Sequence, residues 1–357
     1  MADRYWILGT GTWDATSTTN WSASSGGAGG ASVPTASDNV FFDANSNVLA
    51  TAFTVTMATT PRVCNDFTAS GLDGTMTLAG SAIGLTVSGS LTFQATNFTR
   101  TYNGTTTFNA TTTGKTVTTN GVSFGAGVIF NGVGGGWSLG SALSGTIITL
   151  TNGTLDLAGY TTTLSLRLTT GTGTKNLTFN GGTIACTGAS TTSFNNNAPT
   201  NFTTTAGTGT GTISMTAATA KTFVGGGSTF NCTLNQGGAG ALTIQGSNTF
   251  DNITNTVQPA SVLFTAGTTS TFTNFNLSGT SGNLITIGSV TAASHTLSKA
   301  SGTVSSDFLS ISRSTATGGA GWYAGANSTD GGNNSGWIFT APPAPSGSNS
   351  NFLMFFQ

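Results

Sequence analysis

Charged side chains are scarce in this chain. Its 357 residues include ten aspartates, no glutamate, nine lysines and arginines and one histidine, which leaves a formal net charge of −1. Only six charged residues fall between Thr101 and Asn255. Proteins that bind nucleic acid through its phosphates need clustered basic residues. The basic residues here are scattered along the sequence, so we expect no nucleic-acid partner.

Long apolar runs and helix-forming blocks are also missing. No stretch approaches the ~18 consecutive apolar residues of a membrane-spanning helix, so we expect no membrane insertion. The opening residues 1–9 lack the apolar core of a secretory signal, which predicts synthesis without export by the general secretory route. Because the chain has no glutamate and few blocks of helix-favouring residues, we expect almost no helix.

Cysteine, histidine and carboxylates are too few or too dispersed to indicate a catalytic or metal site. Cys64, Cys186 and Cys232 are interpreted as small buried side chains, and we predict no metal ion and no cofactor. Glycan hydrolysis normally uses two carboxylates ~5–10 Å apart. The aspartates of the central tract are far apart in sequence, and we interpret them as turn-capping residues and expect no enzymatic activity: Asp66, Asp73, Asp156, Asp251 and Asp307.

The chain is rich instead in threonine, glycine, asparagine and short apolar pairs. Threonine occurs 74 times, and 23 phenylalanines argue against disorder. Apolar residues recur at positions i and i+2, as in Leu177 and Phe179, which places both side chains on one face of a strand. Asn-Gly dipeptides such as Asn180-Gly181 follow these pairs and tolerate the positive φ of a tight corner.

These patterns predict an all-β fold of stacked strands, a β-solenoid. The irregular spacing fits turns of roughly 20–25 residues with two or three strands each, which amounts to about ten to twelve turns. Because parallel crossovers are right-handed as a rule, we expect a right-handed parallel β-helix. Four segments are predicted: a Trp-rich N-terminal cap (1–50), a solenoid body (51–312), an aromatic closure (313–340), and a Pro/Ser linker with a hydrophobic docking peptide (341–357).

Large aromatic residues concentrate where the repeating pattern stops. Stacked arrays need caps, because the first and last turns would otherwise expose apolar core and unpaired strand edges. The predicted capping residues are Trp6, Trp13, Trp21, Trp322, Tyr323 and Trp337. For the N-terminal group, a sugar-binding aromatic platform is the alternative.

The most specific functional signal is an apolar run near the end of the sequence. It consists of Phe352, Leu353, Met354, Phe355 and Phe356. Exposed to water on a linker, this docking peptide would be an aggregation hazard, so we expect it to bind a surface. Two alternatives stay open: it packs on its own solenoid or on the other chains of a homotrimer, or it binds a groove or sheet edge of a different assembly protein.

Two stretches resemble known protein families. The opening resembles that of autotransporter passenger and phage-tail β-solenoids, through Gly11-Thr-Trp13, Asn20-Trp21, Pro34 and Asp38-Asn-Val-Phe-Phe-Asp43. The closing segment is similar to the end of tail-fibre-like and virion-associated proteins of tailed bacteriophages, through Gly321-Trp-Tyr323 and Asp330-Gly-Gly-Asn-Asn-Ser-Gly-Trp-Ile-Phe339.

The resemblance implies a non-enzymatic structural protein of a phage particle, as a fibre, spike or capsid decoration located in the virion with other virion proteins as partners. The first alternative is a surface adhesin that binds a host glycan, which predicts an exposed row of aromatic residues on the body. The second is a glycan-depolymerising tailspike, which predicts two or more aspartates close together in one groove. The oligomeric state stays open between a homotrimer and a monomer.

Overall fold

A computed structural model of the chain describes residues 1–58 and 60–343. The fold is nearly all β, with 48% strand and 2% helix. Stacked parallel coils form a β-solenoid of about 13 turns. The predicted fold class is confirmed, and the turns are slightly more numerous than the ten to twelve that the spacing indicated.

Strands follow one another with few residues between them. Those of the first half of the chain are β1 (Asp3–Trp6), β2 (Gly11–Trp13), β3 (Trp21–Ser22), β4 (Asn39–Phe42), β5 (Phe53–Met57), β6 (Arg62–Cys64), β7 (Phe67–Ala69), β8 (Met76–Ala79), β9 (Leu85–Val87), β10 (Leu91–Thr92), β11 (Phe98–Arg100), β12 (Thr106–Phe108), β13 (Lys115–Thr118), β14 (Val128–Leu139), β15 (Leu143–Asp156), β16 (Thr161–Thr170) and β17 (Lys175–Thr178). Two short 3₁₀ helices, Thr18–Asn20 and Ala44–Ser46, lie in the first and second turns.

The second half of the chain likewise consists of short strands with few residues between them. Its strands are β18 (Thr183–Cys186), β19 (Thr192–Asn195), β20 (Phe202–Thr205), β21 (Thr212–Met215), β22 (Lys221–Val224), β23 (Thr229–Gln236), β24 (Leu242–Gln245), β25 (Thr249–Asn255), β26 (Ala260–Phe264), β27 (Thr269–Asn276), β28 (Ile285–Ser289), β29 (His295–Ser298), β30 (Thr303–Ser305), β31 (Leu309–Ile311), β32 (Ser314–Thr317), β33 (Gly321–Tyr323), β34 (Thr329–Asp330) and β35 (Trp337–Ile338).

Each turn in the middle of the stack has three sides. The three consecutive strands β17, β18 and β19 pair in parallel with β20, β21 and β22 of the next turn. Ile184 lies beside Ile213, and Ile148 lies beside Leu168, so the turn between the first two has 29 residues and the turn between the second two has 20. Among the described strands, the one antiparallel pair is β1 with β3, at the N-terminal end.

The inward positions of successive strands form a continuous apolar core. Leu177 and Phe179 are fully buried, as their alternation predicts. Phenylalanine rings stack from turn to turn, with a centroid distance of 4.6 Å between Phe194 and Phe223. Phe308 departs from the pattern: its backbone has φ 54° and its ring is half-buried, while the following leucine points inward.

Polar side chains connect the turns at the corners. Asn180 and Gly181 adopt φ of 46° and 78°, which confirms the predicted corner. The side-chain amide of Asn180 donates to Asp156 Oδ1 of the preceding turn at 2.9 Å, and its Oδ1 accepts from the backbone N–H of Thr208 in the following turn at 2.9 Å. One asparagine therefore links three turns.

Parallel pairing includes the segments that were predicted to close the two ends. Within residues 1–50, β4 pairs with β7. Within residues 313–340, β34 pairs with β31 and β35 pairs with β33. The predicted cap and closure therefore contribute strands to the same stack.

Candidate functional site

Three tryptophans pack together at the first turn. Trp6, Trp13 and Trp21 come from β1, β2 and β3 and are buried. The Trp21 ring lies 5.2 Å from each of the other two in edge-to-face contact, and Phe42 of the next turn lies 6.1 Å from Trp6. The indole N–H of Trp6 donates to the Gly9 carbonyl at 2.8 Å. The cluster joins the apolar core at this end, and its buried rings present no open face to a sugar.

Two tryptophans occupy the matching place at the other end. Trp322 and Trp337 lie 5.1 Å apart, and both contact Phe275. Their indole N–H groups donate to Thr317 O at 2.9 Å and to Ser314 Oγ at 3.0 Å, which satisfies the polar edge of each buried ring.

Tyr323 is half-buried and follows Trp322 in β33. Since successive side chains of a strand point to opposite faces, it lies outside the buried pair. The capping role of all six aromatic residues stays a prediction. The docking peptide, residues 352–356, lies outside the described residues, which end at Pro343.

An apolar patch lies at the N-terminal corner and was not expected from the sequence. It consists of Leu8, Val48 and Leu49, and we call it the corner patch. Their side chains are 51%, 80% and 74% exposed. The loop that carries Leu8 is fastened to the loop that carries the other two, because the Gly9 N–H donates to the Ser46 carbonyl at 2.8 Å. Two consecutive apolar residues in an Asn/Ser/Ala-rich loop are the sequence signal that would have indicated it.

Several carboxylates of the body hold neighbouring turns together. Asp66 Oδ1 accepts from a backbone N–H of the next turn at 2.7 Å, and Asp156 accepts from the amide of Asn180. Asp307 accepts from the backbone and the side chain of Asn327, at 3.0 and 2.7 Å. Burial alone would raise the pKa of Asp307, but these hydrogen bonds hold it below its usual value. Their contacts match the turn-capping interpretation.

Two lysines are buried in the solenoid, a placement that the sequence did not predict. Lys175 Nζ donates to three carbonyls, of Gly173, Ala198 and Thr200, at 2.8 to 3.0 Å. Lys221 Nζ is bound in the same way by three carbonyls of its own and the next turn, and burial lowers its pKa to about 8. Each lysine stands two residues before an inward apolar residue, and that alternation was the available signal.

The single histidine lies in the core near the C-terminal end. His295 is fully buried, and its ring stacks on Phe264 with centroids 4.7 Å apart. Nδ1 lies 2.9 Å from Ser289 Oγ, while Nε2 is buried and has no hydrogen-bond partner. Burial lowers the pKa of His295 to about 4, because a charged imidazolium would lose its hydration without gaining a counter-charge. It is therefore neutral at physiological pH.

Grooves also lie on the described surface of the solenoid. One has a volume of about 400 Å³ and is lined chiefly by small and polar side chains, among them Thr113, Val133, Asn152, Thr174 and Asn176. Another, nearer the N-terminal end, has a volume of about 500 Å³. Tyr160 is the one exposed large aromatic side chain among residues 1–58 and 60–343. The described part of the body thus shows hydroxyl and amide groups but no exposed aromatic row.

The cysteines are enclosed by the core. Cys64, Cys186 and Cys232 are free and buried, and burial raises the pKa of the Cys186 thiol to about 12. Within the described ranges, no group of three or more His, Cys, Asp or Glu side chains could hold a metal ion. The part of the chain that the structure describes contains no helix long and apolar enough to cross a membrane.

Comparison with known proteins identifies no relative of this solenoid. No protein-family model, no curated protein and no solved structure matches the chain.

Proposed function

We propose that this chain is a non-enzymatic structural component of a tailed-bacteriophage particle, a fibre, spike or capsid decoration that is attached through its terminal regions. The observation that carries the proposal is the uninterrupted core, which runs from the Trp6 cluster to the Trp337 cluster over about 13 turns. Such a rod resists fraying and keeps its two ends far apart, which suits a spacer between attachment points.

The hydrogen bonds of the charged side chains also support a structural role. Asp66, Asp156 and Asp307 bind neighbouring turns, and the ammonium groups of Lys175 and Lys221 are each surrounded by three carbonyls. A catalytic carboxylate needs freedom to bind and protonate a substrate, whereas these groups are engaged in inter-turn bonds. The resemblance of the two terminal motifs to phage solenoids supplies the rest of the proposal.

The proposal is tested on purified particles. Particles are isolated from a lysate of infected host cells on a density gradient. The chain is sought by mass spectrometry and by labelling with antibody against the surface around Val133, an exposed residue of β14. We expect the chain to band with intact particles and the label to appear at a constant position on them. A chain that stays in the soluble fraction would refute the structural role.

The docking peptide is tested separately. Removing residues 341–357 is expected to abolish incorporation into particles while leaving the β-sheet circular dichroism signal of the purified protein unchanged. Incorporation at the wild-type level would show that attachment does not depend on this segment.

A glycan-binding adhesin is the second candidate, favoured by the groove beside Asn152 and Asn176, whose amides are of the kind that hydrogen-bond sugar hydroxyls. A glycan array probed with labelled protein decides between the two. Binding that is lost in Asn176→Ala would support the adhesin, and a blank array would remove it.

A further inference from the structure

The corner patch is a built surface and not a frayed loop. The side-chain amide of Asn47 donates to the Thr51 carbonyl at 2.9 Å, and the Ala50 N–H returns to the Asn47 carbonyl at 2.9 Å. These bonds hold Val48 and Leu49 outward on a closed loop. Three exposed apolar side chains on two hydrogen-bonded loops indicate a surface that another molecule covers.

The chain itself contains a second apolar group that needs a partner. The docking peptide Phe352–Phe356 has no charge, and neither has the corner patch. An apolar anchor and an apolar patch match in chemistry, and their contact would remove both from water. The sequence thus offers one segment that suits the patch.

Distance excludes the docking peptide of the same chain. The patch lies on the first two turns and Pro343 follows the last one, so at least about eleven steps of ~4.8 Å, roughly 53 Å, separate them along the stack. From Pro343 to Phe356 there are 13 residues, which span at most about 45 Å when fully extended. In a second copy aligned in parallel, side by side, the docking peptide also starts from the C-terminal end and is equally far from the corner patch.

We infer that the corner patch of one molecule binds the docking peptide of a second copy whose C-terminal end lies beside it. The inference deepens the proposed function, since it names a partner for the peptide. Two arrangements satisfy the distance. An antiparallel pair buries two equivalent contacts and closes as a dimer, whereas a head-to-tail contact is heterologous and continues into a filament.

Cysteine cross-linking between two differently labelled populations tests the contact. One population carries Leu49→Cys and the other Gln357→Cys, which leaves the five apolar residues intact. The native cysteines are fully buried and unreactive. Mild oxidation of the mixture is expected to give a disulfide-linked heterodimer on a non-reducing gel, in excess over both homodimers.

Val133→Cys is the matched control, since Val133 is 73% exposed and lies far from the corner. If Gln357→Cys couples equally well to Val133→Cys, or couples mainly to itself as in a parallel trimer, the inference is overturned. Absence of any cross-link would overturn it as well.

Sedimentation velocity measures the same contact without cross-linking. Wild type should associate with increasing concentration, and Leu49→Asp should raise the dissociation constant by at least about tenfold, because a carboxylate cannot enter an apolar contact. Val133→Asp should leave it unchanged. Unaltered association of Leu49→Asp refutes the patch, whereas a protein that self-associates through it yet is absent from particles refutes only the phage proposal.

Discussion

Protonation of His295 should weaken the C-terminal turns of the solenoid. In the folded chain burial lowers its pKa to about 4, while an exposed histidine has a pKa of about 6.5. Between these values the unfolded chain binds more protons than the folded chain, so the free energy of unfolding falls as the pH falls. Stability is complete above about pH 6.5 and is lost progressively towards pH 4.

The size of the effect follows from the difference of about 2.5 pKa units. Its full value is about 3 kcal/mol, and about 2 kcal/mol of it should be lost between pH 8 and pH 5. The chain has one histidine and no glutamate, so few other groups titrate in this range. Asp251, whose pKa is raised by burial, acts in the opposite direction and makes a control variant necessary.

The control is His295→Phe, which keeps an aromatic ring against Phe264 and removes the titration. Hydrogen exchange of β28, β29 and β31 should be measured from pH 5 to pH 8, after correction for intrinsic exchange, because a stacked array can open one region at a time. We expect wild-type protection in these strands to fall by about 2 kcal/mol and that of the variant to stay level. Equal pH dependence in the two proteins would refute the reasoning.

Three further substitutions test how the stack is held together, each by urea denaturation. Lys221→Met leaves three buried carbonyls without their donor and should lower the free energy of unfolding by about 2–4 kcal/mol. Lys115 is half-exposed, and Lys115→Met should stay within about 0.5 kcal/mol of wild type. Equal losses in the two variants would contradict the role of the carbonyl bonds. Trp322→Ala opens a cavity at the C-terminal end and should cost about 3–5 kcal/mol, whereas a loss below about 1 kcal/mol would show that this end needs no aromatic closure. Gly188→Ala would place a methyl group 1.5 Å from the Ser165 carbonyl oxygen and should lower the free energy of unfolding by about 2 kcal/mol or more. Gly127→Ala should be almost neutral, because the nearest atom to its added methyl group is 4.0 Å away. Equal stability of the two variants would mean that neighbouring turns shift freely to make room.

Alternation in the sequence was sufficient to predict which apolar residues enter the core. Pairs such as Leu177 and Phe179 lie inside because a strand has a period of two and one face of each strand is buried. The rule also leaves Phe308 out of the core, because the inward pair is Leu309 and Ile311, but it does not predict the positive φ that Phe308 adopts. Local backbone reversals of this kind depend on the neighbouring turns, which the pattern of a single strand does not contain.

The alternation of side chains did not predict the buried lysines, for a different reason. Lys175 and Lys221 occupy inward positions, but an ammonium group is tolerated there only when carbonyls converge on it. Two of the three carbonyls around each lysine come from corners 17 to 25 residues away in sequence, such as Ala198 and Thr200. The corner patch was missed for a related reason, because exposure of Val48 and Leu49 follows from how the loop closes on Asn47.

The stacked register determines how the length of this molecule can change. Loss of one complete turn, such as residues 223–243, puts Ile244 in the place of its neighbour Phe223, joins two turns with the same inward pattern and shortens the rod by ~4.8 Å. Loss of part of a turn moves every later strand to the wrong side. The length of the rod therefore changes only in steps of one turn. Insertion or deletion of whole turns can set the distance between the two ends while the sequence of each end stays the same.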